Sequence, residues 1–350
     1  MGIYFHKDLF TKRVNKESNM MLEANLCRLS DQSLFMSWTC EGEGEPDEEN
    51  ITCFSKSYDN GRTWADSTIL FSHPEKGIFT PEVMELNGKI IAFPCSYYNH
   101  TRFSQDCHSY ISVSEDCAAS FSAPSSIGNA INNIHAKGHL VIGNKIIVSC
   151  SWVEGTEDSW ASFERQKKKC FVCGKEFLPE NFTTLYHSEY CGVLISEDGG
   201  NNWRISGKIG FKGGCFVEPA IVQLSDGCLV MLMRRNRETW LYESRSYDLG
   251  ETWTEIKQTD IPSAVVKVDL TRDSNGRIYL LNSPNHERKR SPLSLWISDD
   301  DMKTWSVKTD LMWSDTDPLA YPDAFIDEAR GLLCFGWDDR KNIYYSEFPI

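Results

Sequence analysis

A short segment of the form Ser-x-Asp-x-Gly-x-Thr-Trp recurs along this chain and limits its fold more than any other feature. "SYDNGRTW" begins at Ser57, "SEDGGNNW" at Ser196, "SYDLGETW" at Ser246 and "SDDDMKTW" at Ser298, with a degraded form, "SEDCAASF", at Ser114. Each copy follows a short β-rich run: "ITCFSKS", "HSYISVS", "CGVLIS", "LYESRS" or "PLSLWIS". Upstream stand pairs of apolar runs around tight turns, such as "EVMEL-NG-KIIAFPC", "AIVQL-SDG-CLVMLMRR" and "DLTRD-SNG-RIYLLNS". Apolar runs bounded by Asp, Asn and Gly read as antiparallel strands. The unit is strand, turn, strand, loop, strand, Asp-turn, strand, at a period of roughly 50 residues, which predicts propeller blades.

Six such blades begin near Glu23, Thr80, His135, Glu218, Lys267 and Tyr321. The sixth has no Asp-turn and runs out at "NIYYSEFPI", so the opening "GIYFHKDLF" is expected to add its outer strand and remove a free sheet edge. An all-β, six-bladed propeller occupying residues 1–350 as one domain is the expected fold. The turn itself has structural work: its Asp accepts backbone hydrogen bonds, its Gly supplies positive φ, and its Trp packs between strands.

With 41% hydrophobic and 12% aromatic residues the chain can fill a large core. A net charge of −14 opposes polyanionic partners, so neither nucleic acid nor an anionic membrane is an expected partner. The apolar runs are strand-sized, too short for a spanning helix. The N-terminal "MGIYFHKDLFTKRVNKE" lacks the apolar core of a secretion signal, and the thirteen cysteines are odd in number. Reduced thiols and a cytoplasmic location are therefore expected.

Aligning the six blades on their first turns places Glu23, Thr80, His135, Glu218, Lys267 and Tyr321 in one ring near the axis. Every member is polar or ionisable although each starts an otherwise apolar strand. Polar groups converging on an axis are costly unless solvated or functional.

Blade 3 carries an insertion, residues 153–191, containing "KKKCFVCGKEFLPENFTTLYHSEYC". The spacing Cys170-x2-Cys173-x13-His187-x3-Cys191 reads as a tetrahedral Cys3His site for a structural Zn2+, in a zinc-knuckle turn. The expectation is that zinc stiffens this loop beside the pocket; no organic cofactor is expected.

The repeats are identified as Asp-box (BNR) repeats, and the whole chain resembles the sialidase superfamily of six-bladed propellers. "GGCFVEPAIVQLSDGCLVMLMRRN" is similar to the segment with a Glu before and an Arg after a strand, implying Glu218 and Arg234. "NHERKRSPLSLWISDDDMKTW" resembles the next arginine segment, implying Arg290, with Arg288 as competitor. "LAYPDAFID" resembles the nucleophile segment, implying Tyr321. The loop "CEGEGEPDEEN" would carry the acid/base carboxylate, Asp47 by its spacing, with Glu45 beside it.

The resemblance implies an exo-acting, retaining hydrolase of terminal acidic sugars. A Tyr nucleophile with a Glu partner suits an anomeric carbon beside a carboxylate, where an anionic nucleophile is repelled. Arginines fork onto that carboxylate. The chain departs from the family at the first arginine: "MLEANLCRLSD" puts Glu23 there, and Arg28, five residues on, faces the other side of its strand. Glu23 would need a cation, with Lys267 the candidate. Two other readings stand beside this one. His135 with Tyr321 and an arginine suits β-elimination on a uronate glycan by a propeller lyase, with His139 left on a blade surface; a non-catalytic glycan-binding propeller needs neither.

Overall fold

The computed structural model describes residues 2–15, 20–44, 47–97, 108–127, 134–154, 188–211, 214–236 and 238–350. Six antiparallel sheets follow one another along the chain as the repeat requires. Blade 1 runs Met21–Arg28, Leu34–Cys40, Ile51–Ser57, Thr68–Phe71; blade 2 runs Gly77–Leu86, Lys89–Tyr97, His108–Ser114, Ser125–Ser126. Blade 3 runs His135–Ile142, Lys145–Glu154, Ser188–Ser196, Arg204–Ile209; blade 4 runs Phe216–Gln223, Leu229–Arg235, Trp240–Ser246, Lys257–Pro262. Blade 5 runs Asp269–Arg272, Ile278–Asn282, Leu293–Ser298, Val307–Trp313; blade 6 starts with Ala320–Asp327, Leu332–Asp338 and Ile343–Pro349.

The N-terminal closure is displaced from the expected position. Phe10–Arg13 pairs with Ile343–Pro349 as the fourth strand of blade 6, whereas Tyr4–Phe5 adds a fifth strand to blade 5 against Trp313 and Met312. Pattern alone located the closing segment but could not say which of its two short runs pairs where. Both are too brief to show a period.

Among the described residues, each of the six seams between neighbouring blades is filled by a large apolar cluster. Trp38, Met36 and Cys53 of blade 1 meet Cys334, Ile343 and Tyr345 of blade 6; Met84 and Phe93 of blade 2 meet Val148 and Trp152 of blade 3. The Asp-box tryptophans belong to these seams, so they pack between blades and not merely between strands. Trp64 lies 5.7 Å from Tyr345 of blade 6, and Trp203 of blade 3 meets Phe93 of blade 2 edge-on at 5.0 Å. The box glycine packs in the same direction. At Gly61 (φ 78°) a Cβ would sit 2.1 Å from the Tyr345 ring.

Inside each turn the expected bonds are present. Asp248 Oδ1 accepts the Thr252 N–H at 2.8 Å, and Ser246 Oγ accepts the Gly250 N–H at 2.8 Å. The Thr252 hydroxyl and N–H hold the Asp248 carboxyl at about 2. None of this touches the axis.

The first strand of a blade is an inner edge whose free N–H groups face the channel and need acceptors. The preceding blade supplies them. Asn25 Oδ1 of blade 1 accepts the Val83 N–H of blade 2 at 3.2 Å, and Asp323 Oδ2 of blade 6 accepts the Leu26 N–H of blade 1 at 2.7 Å. Asp269 of blade 5 likewise accepts from Ala324, and Glu82 of blade 2 from Gly138. Polar residues two positions after Glu23, Thr80, Lys267 and Tyr321 thus latch one blade to the next.

Candidate active site

A β-bulge near the start of the first strand turns selected side chains to the axis. The register skips between Leu22 and Asn25, Phe79 and Glu82, Ala136 and His139, Val217 and Ala220, and Ala320 and Asp323. The bulged residues are Glu23, Thr80, Lys137, Glu218 and Tyr321. Three of them are held left-handed, Glu23 at φ 61°, Glu218 at 50° and Tyr321 at 50°. Such backbones cost on the order of 1–3 kcal/mol each for residues with a Cβ. Blade 5 has no such bulge, and in the other blades the bulged residue is the expected ring member except in the third. There Lys137, not His135, occupies the ring. His135 pairs with Ser151, and its ring stands 4.4 Å from the Phe79 ring. Two residues of misalignment, hidden by Gly138 at φ 72°, separate the expectation from the structure.

Glu218 and Arg234 face each other across the first two strands of blade 4. Arg234 donates through Nη2 to Glu218 Oε1 at 2.8 Å and through Nε to Oε2, a forked pair buried at the axis. Its Nη1 donates to Asn236 Oδ1 at 2.6 Å, and Asn236 Nδ2 donates to Glu189 Oε2 at 2.8 Å. Burial presses the guanidinium pKa down, but Glu218, then Tyr321 and Glu189, more than reverse it, so Arg234 is charged.

Arg290 approaches from blade 5, its Cζ 5.1 Å from the centroid of the Tyr321 ring. Its Nη2 makes a long contact of 3.4 Å with the Val265 carbonyl, and its buried Nη1 has no hydrogen-bond partner among the described residues. Arg288 is exposed. Glu218, Arg234, Arg290 and Tyr321 therefore share one neighbourhood.

Glu23 is neutralised, but by Lys137 and not by Lys267. Lys267 lies deeper and binds Asp323 Oδ1 at 3.1 Å. Thr80 Oγ1 bonds Thr39 Oγ1 at 2.6 Å. Arg28 lies away from the ring, bonding Asp327 at 2.7 Å and the Asp-box residue Asn60 at 3.1 Å. His139 is not a blade-surface residue. Its Nδ1 meets Glu82 Oε1 at 2.8 Å on the wall of an axial cavity of about 510 Å3, lined also by Lys267, Asp269 and Asp323.

Asp47 sits on the loop between the second and third strands of blade 1; Glu45 lies outside the described residues. Asn50 shapes that loop, donating to the Glu41 and Gly44 carbonyls at 2.7 and 3.0 Å and accepting the Asp47 N–H at 2.9 Å. Asp47 Oδ1 accepts the Glu49 N–H at 2.9 Å, and no bond joins it to Tyr321 or Glu218 among the described residues.

Asp338 was not singled out from sequence. It ends the second strand of blade 6, accepting the Glu23 N–H at 2.8 Å and the Arg340 N–H at 3.0 Å. Burial pushes its carboxyl up to about 7, against those two donors and the Arg290 and Arg340 charges. With the folded value raised, its contribution to stability is full below the unfolded carboxyl value near 4 and is lost as pH rises toward 7. Urea unfolding of Asp338→Asn should show this. Wild-type stability relative to the variant should fall by up to about 4 kcal/mol between pH 4 and 7.5. A difference that stays constant with pH would contradict it.

Cys170, Cys173 and His187 lie outside the described residues, and among the described ones no group of metal-binding side chains forms. Cys191 is the one described member of the expected ligand set. It pairs with Ser151 in mid-sheet, fully buried among Ile147, Val193 and Phe216, and burial raises its thiol well above the usual range. A Cys191→Ser chain should keep the parent's zinc content, read as metal per mole of protein by plasma mass spectrometry. Loss of zinc from it would restore the four-ligand set.

The BNR repeat-like domain model matches residues 83–333 of this chain. A sialidase of Bacteroides fragilis (strain YCH46) is 24% identical over 156 residues, 42% of this chain and 28% of that protein. An anhydrosialidase of Macrobdella decora is 28% identical over 113 residues, 30% of this chain and 15% of that protein. The matched segments thus span under a third of either relative. The solved Hadza microbial sialidase Hz136 superposes with a TM-score of 0.73 at 15% identity, over 95% of this chain and 66% of that one. At that identity the likeness speaks for the fold, the six-bladed propeller of the sialidase superfamily.

Proposed function

We propose, for a chain that belongs to the BNR repeat-like domain family and has the sialidase-type propeller, a retaining exo-glycoside hydrolase acting on terminal acidic sugars. One observation carries the reading. The forked Glu218–Arg234 pair and the Arg290-covered Tyr321 meet at one end of the axis, on backbones held left-handed at Glu218 and Tyr321.

In this reading the Tyr321 Oη attacks the anomeric carbon while Glu218 takes the phenol proton, and Asp47 protonates the departing glycosidic oxygen. A covalent glycosyl–tyrosine intermediate forms, an aryl glycoside through the Tyr321 oxygen. Asp47, now ionised, draws a proton from water, which attacks the same carbon and returns the phenol, giving net retention. The Nη1 of Arg290, without a partner among the described residues, supplies the charge-assisted donor for a substrate carboxylate, because three of the five N–H donors of Arg234 are already taken by Glu218 and Asn236. The Glu23–Lys137 ion pair stands where the family has the first of its three arginines. A lost donor of that kind weakens a carboxylate's hold by about 1.5–3 kcal/mol, so weak substrate binding belongs to this reading.

The test is a panel of aryl glycosides, sialosides and uronides included, assayed with the parent chain and with Tyr321→Phe. Release of aglycone with retained anomeric configuration supports the hydrolase. A product absorbing in the near ultraviolet would mean elimination, and binding without turnover a glycan-binding propeller.

A further inference from the structure

We infer that Cys40 and Cys53 form a reversible, peroxide-driven disulfide that staples the base of the loop carrying Asp47. The two Sγ atoms stand 3.0 Å apart, within about 1 Å of a sulfur–sulfur bond. Register explains the approach. Cys40 lies opposite Ile51 and Cys53 opposite Trp38, so the cysteines are diagonal neighbours on one face of blade 1. They flank residues 41–52, the connection that Asn50 folds around its own side chain. Both belong to the seam of blade 1 with blade 6, beside Cys334 and Tyr345.

The two thiols are unequal. Cys40 donates its S–H to Cys53, and that bond lowers the Cys53 thiol while raising the Cys40 thiol. Cys53 is also the more open, at 9% exposure against 2%. It is therefore the attacking sulfur toward a small oxidant. The Cys53 thiolate attacks one oxygen of hydrogen peroxide, breaking the O–O bond, and becomes a sulfenic acid as hydroxide leaves. The Cys40 sulfur then attacks the sulfenic sulfur and gives up its proton. Its S–S bond forms as water departs, and overall two thiols lose two electrons and two protons to peroxide. A thiol reductant reverses the bond by exchange.

The consequence is mechanical. A cross-link there removes chain entropy from the unfolded loop and fixes the two strand ends that set its shape. The inference does not rest on the glycosidase reading, since every readout below is independent of turnover.

Trypsin gives one peptide, residues 29–56, that holds Cys40 and Cys53 and no other cysteine. After hydrogen peroxide treatment of the native protein, denaturation and alkylation, this peptide should be two hydrogens lighter and carry no alkyl group. Dithiothreitol should restore two alkyl groups. Cys53→Ser and Cys40→Ser should each abolish the light peptide. In the oxidised parent, amide exchange over residues 41–52 should slow and the thermal midpoint should rise by a few degrees, roughly the gain of a short closed loop. Two alkyl groups on the peptide at a peroxide dose that oxidises the more exposed Cys117 would overturn the inference. An unchanged or lower midpoint in the cross-linked protein would refute the staple.

Discussion

Tyr321→Phe is expected to lower turnover about a thousandfold or more while leaving sugar binding within a few-fold. The substitution deletes one oxygen and keeps the ring, so the Arg290 contact at 5.1 Å and the packing with Ala264, Val266 and Ala320 survive. What disappears is the nucleophile, and with it the route through a covalent intermediate. Loss of an acid or base alone typically costs 10²–10⁴-fold, and loss of the nucleophile should lie toward the upper end of that span. The measurements are kcat by aryl glycoside release and Kd by calorimetry with the same sugar. Equal fall in both, or no fall in kcat, would remove Tyr321 from the reaction.

The second large effect is structural. Lys267 is buried at the axis against Asp323, with Glu23, Glu82 and Asp269 around it. Burial presses its pKa down, but Asp323 and the three further carboxylates hold it above the ordinary lysine value. A raised value gives stability that is full below the unfolded lysine pKa, hence throughout the neutral range, and lost only at strongly alkaline pH. Lys267→Met should therefore cost about 3–5 kcal/mol in urea unfolding at pH 7, the usual penalty for stranding a buried partner. Adding Asp323→Asn should recover part of it. So should lowering the pH, because burial already biases Asp323 toward its protonated form. A single variant as stable as the parent would mean that water reaches these carboxylates.

The Lys267 cluster also marks how far sequence could reach. The Asp-box spacing was enough for six blades, and the residues picked from the flanking segments, Glu218, Arg234, Arg290 and Tyr321, lie in one neighbourhood because short motifs stay rigidly tied to strand starts. Pairings across blades were not legible. Lys137 with Glu23 spans 114 residues, and Asp338 with Glu23 spans 315, with no local pattern to announce either. Lys137 was missed for a further reason: the bulge shifts register by residues that a turn-based alignment counts as strand. His139 and Glu82 read as ordinary polar positions until the inner edges are seen to need acceptors.

One pairing bears on the order of events during synthesis. Thr11 meets Ser346, 335 residues further along, where the N-terminal strand closes blade 6. A ribosome adding on the order of ten residues per second needs about half a minute to cover that distance. Until then, four seams can assemble outside the exit tunnel while the two that blade 6 makes must wait, their apolar faces and strand edges open to chaperones or to another nascent chain. The axial charges would meet their partners only when that gap shuts, so the pocket would be the last part of the molecule to mature.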